Sequence, residues 1–426
     1  MEFIKDTFQK FLFSKKKNIL IENFLSLSFL QIMDYVLPII TLPYLVRVLG
    51  PEKYGLIAFA KAFIQYFVIL TDYGFNLSAT REISIYRENK NKISEIFSSV
   101  MSIKFCFMLI SFIILIGLIL SIPKIKSHWL IYIFTFGSVL GQSLFPIWFF
   151  QGMEKMKYIT LSNIVSKIIF TVSIFIFVKK IQDYIYVPLI TSLGFLVTGI
   201  IGLWIIYKNF EIKFIVPNFK QISYQLKEGW YVFISTMSIT LYTNSNTFIL
   251  GLFTNNAVVG YYVAAEKIIT VIQRILHPFS QTIYPYISKL VVQSKQKALN
   301  FTKKILIFIG IISFAISLFI LIFARPIINI ILGRQFQQSI IVLQILSFLP
   351  FIISLSNILG IQIMLTFNFK KAFSRILISA GIINIILALL LTPCYKYIGI
   401  SISVLVTEIF VTASMFFYLY HKKLLL

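Results

Sequence analysis

Apolar segments recur along the whole sequence, and each is long enough to cross about 30 Å of hydrocarbon as a helix. Charged or Pro/Gly-rich stretches separate them. Twelve such segments can be marked, approximately at 22–46, 54–78, 98–121, 129–150, 159–178, 185–207, 229–252, 259–286, 304–324, 339–366, 372–393 and 397–420. The connections between them leave no room for an extramembrane domain. We therefore predict an all-α integral membrane protein with twelve transmembrane helices.

The composition excludes a soluble protein. Hydrophobic residues make up 58% of the chain and charged residues only 13%, whereas soluble domains carry about 25% charged residues. So few charges cannot cover the surface of a soluble protein of 426 residues. A formal net charge of +24 would by itself suggest a nucleic-acid partner, but the apolar content argues against one.

The basic residues predict the orientation, because Lys and Arg accumulate in cytoplasmic loops. With an even number of spans both termini lie on one side. The loops and tails of that side contain 25 basic residues, and the opposite loops contain 9. Both termini are therefore expected in the cytoplasm.

Two similar halves are indicated by the loop lengths and by a weak internal repeat. Gly55 opens the second span and Lys61 follows six residues later, while Gly260 opens the eighth span and Glu266 follows six residues later. Each segment of the first half is six spans away from its copy in the second half. Because six is an even number, the two halves have the same orientation. The predicted domains are an N-terminal six-helix bundle, a cytoplasmic linker and a C-terminal six-helix bundle, at 1–210, 211–228 and 229–426.

The second span contains polar residues that lipid does not tolerate. Lys61, Gln65 and Asp72 are spaced so that a helix places them on one stripe. Charged side chains at this depth cost at least about 2.5–3.5 kcal/mol each and normally face a cavity or a partner. We favour a stripe that faces a cavity. The alternative is a Lys61 that extends to the outer interface.

The eighth span has a broad hydrophilic face. Its two neighbouring stripes consist of Glu266, Gln273 and His277 and of Lys267, Arg274 and Gln281. Such a face must line water or pack against polar groups of another helix. A structural salt bridge from Glu266 to Lys267 or Lys61 is the alternative to a transport site.

A carboxylate also lies within the first span. Asp34 is near mid-depth and precedes Pro38 and Pro43, which bend a helix. A carboxylate beside a bend is a candidate site for a proton or a cation. A permanent pair with a lysine remains the alternative.

The seventh span carries a patch of Thr and Asn side chains that includes Asn244 and Asn246. These groups can bind sugar hydroxyls or form contacts between helices. The residues alone leave both interpretations open.

Several motifs of enzymes are missing. The sequence contains no G-x-x-x-x-G-K-[ST], no G-x-S-x-G and no H-E-x-x-H. We therefore expect a carrier without catalytic residues, metal ligands or a cofactor.

Three stretches of the sequence resemble a known family. They are the segment from Leu42 to Gly55, the segment from Gln65 to Glu82 with its Asp-Tyr-Gly run, and the segment from Trp148 to Glu154. All three are similar to signatures of bacterial flippases for O-antigen and capsule, which belong to the multidrug/oligosaccharidyl-lipid/polysaccharide exporter superfamily. The similarity is strong over about 40–160 and looser afterwards.

The resemblance implies two six-helix bundles around a central cavity in the bacterial cytoplasmic membrane. It implies that an undecaprenyl-pyrophosphate-linked oligosaccharide moves from the inner to the outer leaflet, by alternating access and driven by a proton or sodium gradient. The product would serve the assembly of O-antigen, capsule or exopolysaccharide. Membrane lipids are further partners, and a polysaccharide polymerase and a chain-length regulator are left open.

The resemblance also suggests roles for residues. Lys61, Lys267 and Arg274 would face the pyrophosphate or acidic sugars, and Asp34 or Glu266 would take the coupling ion. The remaining candidates for binding the substrate are Gln65, Gln273, Asn244 and Asn246.

Two other functions would require different features. A multidrug or cation antiporter of the same superfamily would hold cationic drugs with acidic residues, yet the candidate face is basic. A membrane polysaccharide polymerase would have a large outer loop, and the longest outer loop predicted here has only about 15 residues.

Overall fold

The structure is a computed structural model that describes residues 15–424. Within this range the description omits the side chains of residues 15–29, 32, 34, 35, 238, 239, 241–243, 275–282 and 285. Residues 15–424 contain no β-strand. The predicted all-α membrane fold is confirmed.

Fifteen α-helices make up the described chain. In order they are α1 Lys15–Asp72, α2 Phe75–Ile85, α3 Lys90–Ser121, α4 Pro123–Lys126, α5 Trp129–Leu144, α6 Ile147–Gly152, α7 Met156–Phe177, α8 Tyr186–Phe210, α9 Phe219–Phe253, α10 Asn256–Gln293, α11 Lys295–Ile322, α12 Ala324–Ile331, α13 Ser339–Leu346, α14 Leu349–Asn357 and α15 Lys370–His421. Short 3-10 turns occur at Ile181–Ile185 and Arg334–Phe336, and a π-helix at Ile358–Leu365.

Local capping sets the start of several long helices. The side chains of Asn89 and Asn255 accept hydrogen bonds of 3.0 Å from backbone N–H groups in the first turns of α3 and α10. Ser294 does the same for α11 at 3.3 Å. Each cap supplies an acceptor to an N–H group that has no partner within the helix.

Eight helical stretches of the described chain are long and apolar enough to cross a membrane. Two of the helices that form them are interrupted, α1 at Gly50 (φ 67°) and α15 at Lys396 (φ 52°). Each therefore contains two segments that meet at a predicted outer loop. The twelve-span count itself stays a prediction.

The structure corrects some predicted boundaries. The sequence predicts that the second span reaches residue 78, but α1 ends at Asp72 because Tyr73 (φ 43°) and Gly74 (φ 78°) adopt left-handed conformations. The fourth span breaks between α5 and α6, where Pro146 has no N–H group to continue the helix. Within the predicted linker 211–228 a helix begins at Phe219, and the linker itself stays a prediction.

The chain packs as two compact units. The first contains the described residues up to Thr41 together with Phe63–Met237, and the second contains Leu42–Ala62 together with the described residues from Ser238. Residues 42–62 thus pack with the C-terminal part of the chain. The sequence predicts two repeated six-helix bundles, at 1–210 and 229–426, from the loop lengths. This division stays a prediction.

In the first unit, two of the signature stretches share one core. Trp148, Phe149 and Phe150 are fully buried, and the Thr80 hydroxyl donates a hydrogen bond of 3.2 Å to the carbonyl of Trp148. A Cβ atom on Gly152 would lie 2.6 Å from the Ile83 side chain. These signatures therefore specify packing between α2 and α6.

In the second unit, the two repeated glycines meet. A Cβ atom on Gly55 would lie 1.8 Å from the carbonyl oxygen of Asn256 and 2.5 Å from the backbone nitrogen of Gly260. A Cβ atom on Gly260 would lie 2.0 Å from the carbonyl oxygen of Pro51. Only glycine allows backbones this close, as at other membrane helix contacts. The Gly55–Gly260 contact therefore joins the two repeated motifs directly.

The signature around Arg47 is also structural. The guanidinium group of Arg47 donates a hydrogen bond to the carbonyl of Ile330, near the end of α12. Carbonyl groups at a helix C-terminus have no partner within the helix and carry partial negative charge. Arg47 therefore caps α12 within the second unit.

We predict that Gly260→Ala destabilises the protein by about 1–3 kcal/mol, the usual cost of forcing extra volume into a packed contact. Thermal unfolding in detergent would show a lower Tm. Gly117→Ala on α3 is the matched control, since a Cβ atom there meets nothing within 4 Å. Equal Tm values for both variants would contradict the importance of the contact.

Candidate functional site

Lys61 lies on the accessible side of α1, after the break at Gly50. Its side chain is exposed, whereas the neighbouring Ala60 and Ile64 are buried. One side of this helical segment therefore packs in the second unit, and the other side carries a cation.

Helix α10 supplies the second part of the site. Lys267 is half-buried and Arg274 is exposed. Seven residues separate them, so they lie on one face of the helix, two turns apart. Gln273 is half-buried beside Arg274.

In the second unit, the cations Lys61, Lys267 and Arg274 lie close enough to interact electrostatically. Lys61 is repelled by both Lys267 and Arg274, and these two also repel each other. Among the described residues, neither Lys61 nor Lys267 forms a salt bridge. We call Lys61, Lys267 and Arg274 the cation cluster. Like charges at membrane depth repel strongly because little water screens them, so the cation cluster is suited to an anion.

Glu266 borders the cation cluster. It attracts Lys267, and its carboxylate accepts a hydrogen bond of 3.3 Å from the hydroxyl of Tyr262, which is fully buried. Tyr54 also interacts with it electrostatically. The carboxylate is thus held on the buried side of α10 and offsets only part of the positive charge.

The other predicted site residues do not form one group with the cluster. Asn244 is exposed, whereas Asn246 is 6% exposed, so the two amides lie on different faces of α9. Gln65 is half-buried and belongs to the first unit. The side chain of Asp34 is outside the described residues, as are those of His277 and Gln281.

Asp72 forms a buried ion pair that the sequence did not predict. The ammonium group of Lys104 lies 2.8 Å from one carboxylate oxygen, and the Asn76 amide donates to the other at 3.3 Å. The side chain of Lys104 is 2% exposed and that of Asp72 is 28% exposed. The expectation that Asp72 faces a cavity on the stripe of Lys61 is therefore replaced by a structural pairing within the first unit.

A second carboxylate of the first unit also has hydrogen-bond partners within the protein. Glu82 is buried and accepts a hydrogen bond of 2.6 Å from the Gln225 amide, with a further one from the Tyr224 hydroxyl. Tyr73 stacks on Phe233 with ring centroids 4.8 Å apart. These contacts attach the first turns of α9 to the Asp-Tyr-Gly signature.

The described residues contain no group of three or more His, Cys, Asp or Glu side chains that could hold a metal ion. The candidate site consists of the positive charge of the cation cluster and the half-buried amide of Gln273 on α10.

A multi-span helical protein with such a site has the properties of a membrane transporter. Residues 20–291 match the family described as "Polysaccharide biosynthesis protein", and the chain belongs to this family. A protein of Escherichia coli strain K12 named "Putative O-antigen transporter" is 39% identical over 403 residues, covering 95% of this chain and 97% of that protein. The predicted resemblance to O-antigen flippases is confirmed.

Two solved structures share the fold. "Lipid II flippase MurJ" in an inward closed conformation has a TM-score of 0.70 at 16% identity, covering 94% of this chain and 87% of that one. An inward-facing multidrug resistance MATE family transporter of the MOP superfamily has a TM-score of 0.69 at 14% identity, covering 91% and 96%. At 14–16% sequence identity, the similarity to these two structures shows a shared fold only.

We predict that Lys104→Met lowers the stability of the first unit by about 3 kcal/mol, because it leaves the Asp72 carboxylate without its counter-charge. The double variant Asp72→Leu/Lys104→Met should recover much of this loss, since no charge is left unpaired. Thermal unfolding in detergent measures both variants. Lys126→Met, at an exposed lysine, is the control, and a Lys104→Met protein as stable as this control would refute the pairing.

Proposed function

We propose that this protein flips undecaprenyl-pyrophosphate-linked oligosaccharide units from the inner to the outer leaflet of the bacterial cytoplasmic membrane. The units would be used for O-antigen, capsule or exopolysaccharide. The proposal is supported by the family, by the name of the E. coli relative and by the fold. The observation that carries it is the cation cluster of Lys61, Lys267 and Arg274.

The chemistry of such a substrate fits the cluster. A pyrophosphate diester carries two negative charges, and moving them through hydrocarbon without compensation is prohibitive. Three cations in a weakly screened environment offset those charges, while Arg can also donate two parallel hydrogen bonds to one phosphate group. The polyprenyl tail needs no site in the protein because lipid already solvates it.

Amide side chains, mainly of the second unit, would contact the sugars. Gln273 lies next to Arg274 and is half-buried, and Asn244 is exposed on α9. Amides both donate and accept hydrogen bonds, as sugar hydroxyls do. Gln65 and Asn246 are proposed as weaker contributors, since one belongs to the first unit and the other is buried.

Transport would proceed by alternating access coupled to a proton or sodium gradient. Glu266 is the candidate residue for binding the coupling ion because it attracts Lys267. Protonation of Glu266, or binding of a cation to it, would change the net charge of the substrate site. Asp34 is the second candidate, from its position in the sequence. Both termini would lie in the cytoplasm, and the flipped lipid would pass to a polysaccharide polymerase and a chain-length regulator.

The same cluster argues against a multidrug antiporter. A carrier for cationic drugs needs negative charge at its binding site, whereas the three candidate residues here are positive and Glu266 already bonds to Tyr262. No catalytic role is proposed for any residue.

Flipping by reconstituted protein tests the proposal. In vesicles that contain a fluorescent lipid-linked oligosaccharide, Lys61→Gln/Arg274→Gln should slow flipping at least about tenfold, because each lost contact between charged groups is worth about 1.5–3 kcal/mol. Lys126→Gln is the matched control, since it removes one exposed charge outside the cluster. Flipping at the rate of the unchanged protein would refute the assignment of these cations.

Coupling is tested separately by varying the gradients across the same vesicles. Glu266→Gln should abolish or strongly weaken the dependence of the flipping rate on the proton or sodium gradient, because the neutral amide cannot take up a cation. Asp34→Asn is measured in parallel. If neither variant changes this dependence, both candidates for the coupling ion are wrong, although the cation cluster is unaffected by that result.

A further inference from the structure

The connection between α8 and α9 is held in place as an extended strap. We define the strap as residues 211–218, which form no helix. Its backbone is fixed on α3, where the N–H group of Ile215 donates a hydrogen bond of 2.9 Å to the Ser98 hydroxyl. Ile212 is 4% exposed and packs in the core of the first unit.

A salt bridge fixes the beginning of the strap. The ammonium group of Lys90, at the start of α3, lies 2.6 Å from the carboxylate of Glu211. Lys90 lowers the pKa of this carboxyl group through the hydrogen bond and the charge, so Glu211 stays ionised. The strap is therefore a positioned element and has a defined outer side.

That outer side is apolar. The side chains of Phe214, Val216 and Phe219 are 62%, 84% and 83% exposed. Ile215 is also exposed. Four large apolar side chains within six residues would be unfavourable in water.

Lysines surround these apolar side chains. Lys213 and Lys220 flank them in sequence, and both are exposed. At the end of α8, the ammonium group of Lys208 lies 4.8 Å from the ring centroid of Trp204, and both Trp204 and Tyr207 are exposed. Exposed Trp and Tyr beside Lys are typical of the headgroup level of a membrane.

The strap can lie neither in hydrocarbon nor in bulk water. Its irregular backbone leaves N–H and C=O groups that hydrocarbon cannot satisfy, while its apolar side chains are unfavourable in the cytoplasm. The boundary between headgroups and acyl chains suits both the polar backbone groups and the apolar side chains of the strap. Because α8 has 25 residues and spans about 37 Å, its end reaches this boundary.

We propose that the strap, together with Phe219 and Lys220, is a binding site for anionic phospholipid on the cytoplasmic leaflet. Phe214, Val216 and Phe219 insert among the upper acyl carbons, and Lys213 and Lys220 contact lipid phosphates. Anionic lipid is the occupant that this combination of apolar and basic side chains fits. Helix α9 starts within this site, so the lipid contact sets the depth of the helix at the membrane surface.

Depth measurements on the full-length protein in nanodiscs test the proposal. A spin label is placed at Val216→Cys after Cys106 and Cys394, both free and exposed, have been replaced by serine. In phosphatidylglycerol the label should be accessible to oxygen and shielded at least threefold from a water-soluble nickel complex. The control label at Glu88→Cys, in the exposed turn before α3, should stay open to nickel.

Changing the lipid composition tests the anionic specificity of the site separately from its insertion into the membrane. In phosphatidylcholine, or with Lys213→Gln/Lys220→Gln in phosphatidylglycerol, the shielding should fall by half or more. Equal shielding in both lipids would overturn the anionic specificity, and nickel access equal to that at position 88 would overturn membrane insertion. Shielding that requires an added soluble protein fraction would point to a protein partner and refute the lipid site.

Discussion

A bilayer offers no hydrogen-bond partners to the backbone, and the structure follows from this constraint. Most of the described chain is helical, and at two of its interruptions another part of the chain covers or binds the exposed groups. The break after Asp72 is covered by the first turns of α9, with Tyr73 stacked on Phe233. The end of α12 receives the guanidinium group of Arg47. At these two places the interrupted backbone is therefore covered or bound by another part of the chain.

The same constraint separates two kinds of membrane charge. Lys104 is almost fully buried, but Asp72 neutralises it at 2.8 Å, so the pair contributes to folding and offers nothing to a ligand. Lys61 and Lys267 have no such described partner and repel each other together with Arg274. The repulsion among these three charges opposes their being held together. Under the proposed function, an anionic substrate would offset this repulsion.

The sequence predicted the features that depend on one helix at a time. Apolar run length predicted the all-α membrane fold, and spacing along the eighth span placed Lys267 and Arg274 on one face. Features that depend on two helices were missed. Lys104 and Asp72 lie 32 residues apart, and nothing in the spacing within either helix reveals that they meet. The break at Tyr73 was also missed, because a tyrosine in a left-handed conformation is stabilised only by its tertiary contacts.

The contact between Gly55 and Gly260 has a consequence for how such proteins can be recombined. Residues 42–62 belong to the N-terminal half of the sequence, yet they pack in one unit with the C-terminal residues through atoms that leave no space for a methyl group. A chimera of two relatives cut in the connection after α8 would therefore join surfaces that have not adapted to each other. A graft that moves residues 42–62 together with everything after Ser238 keeps the matched pair, so such a chimera should be more stable than one joined at the midpoint of the chain.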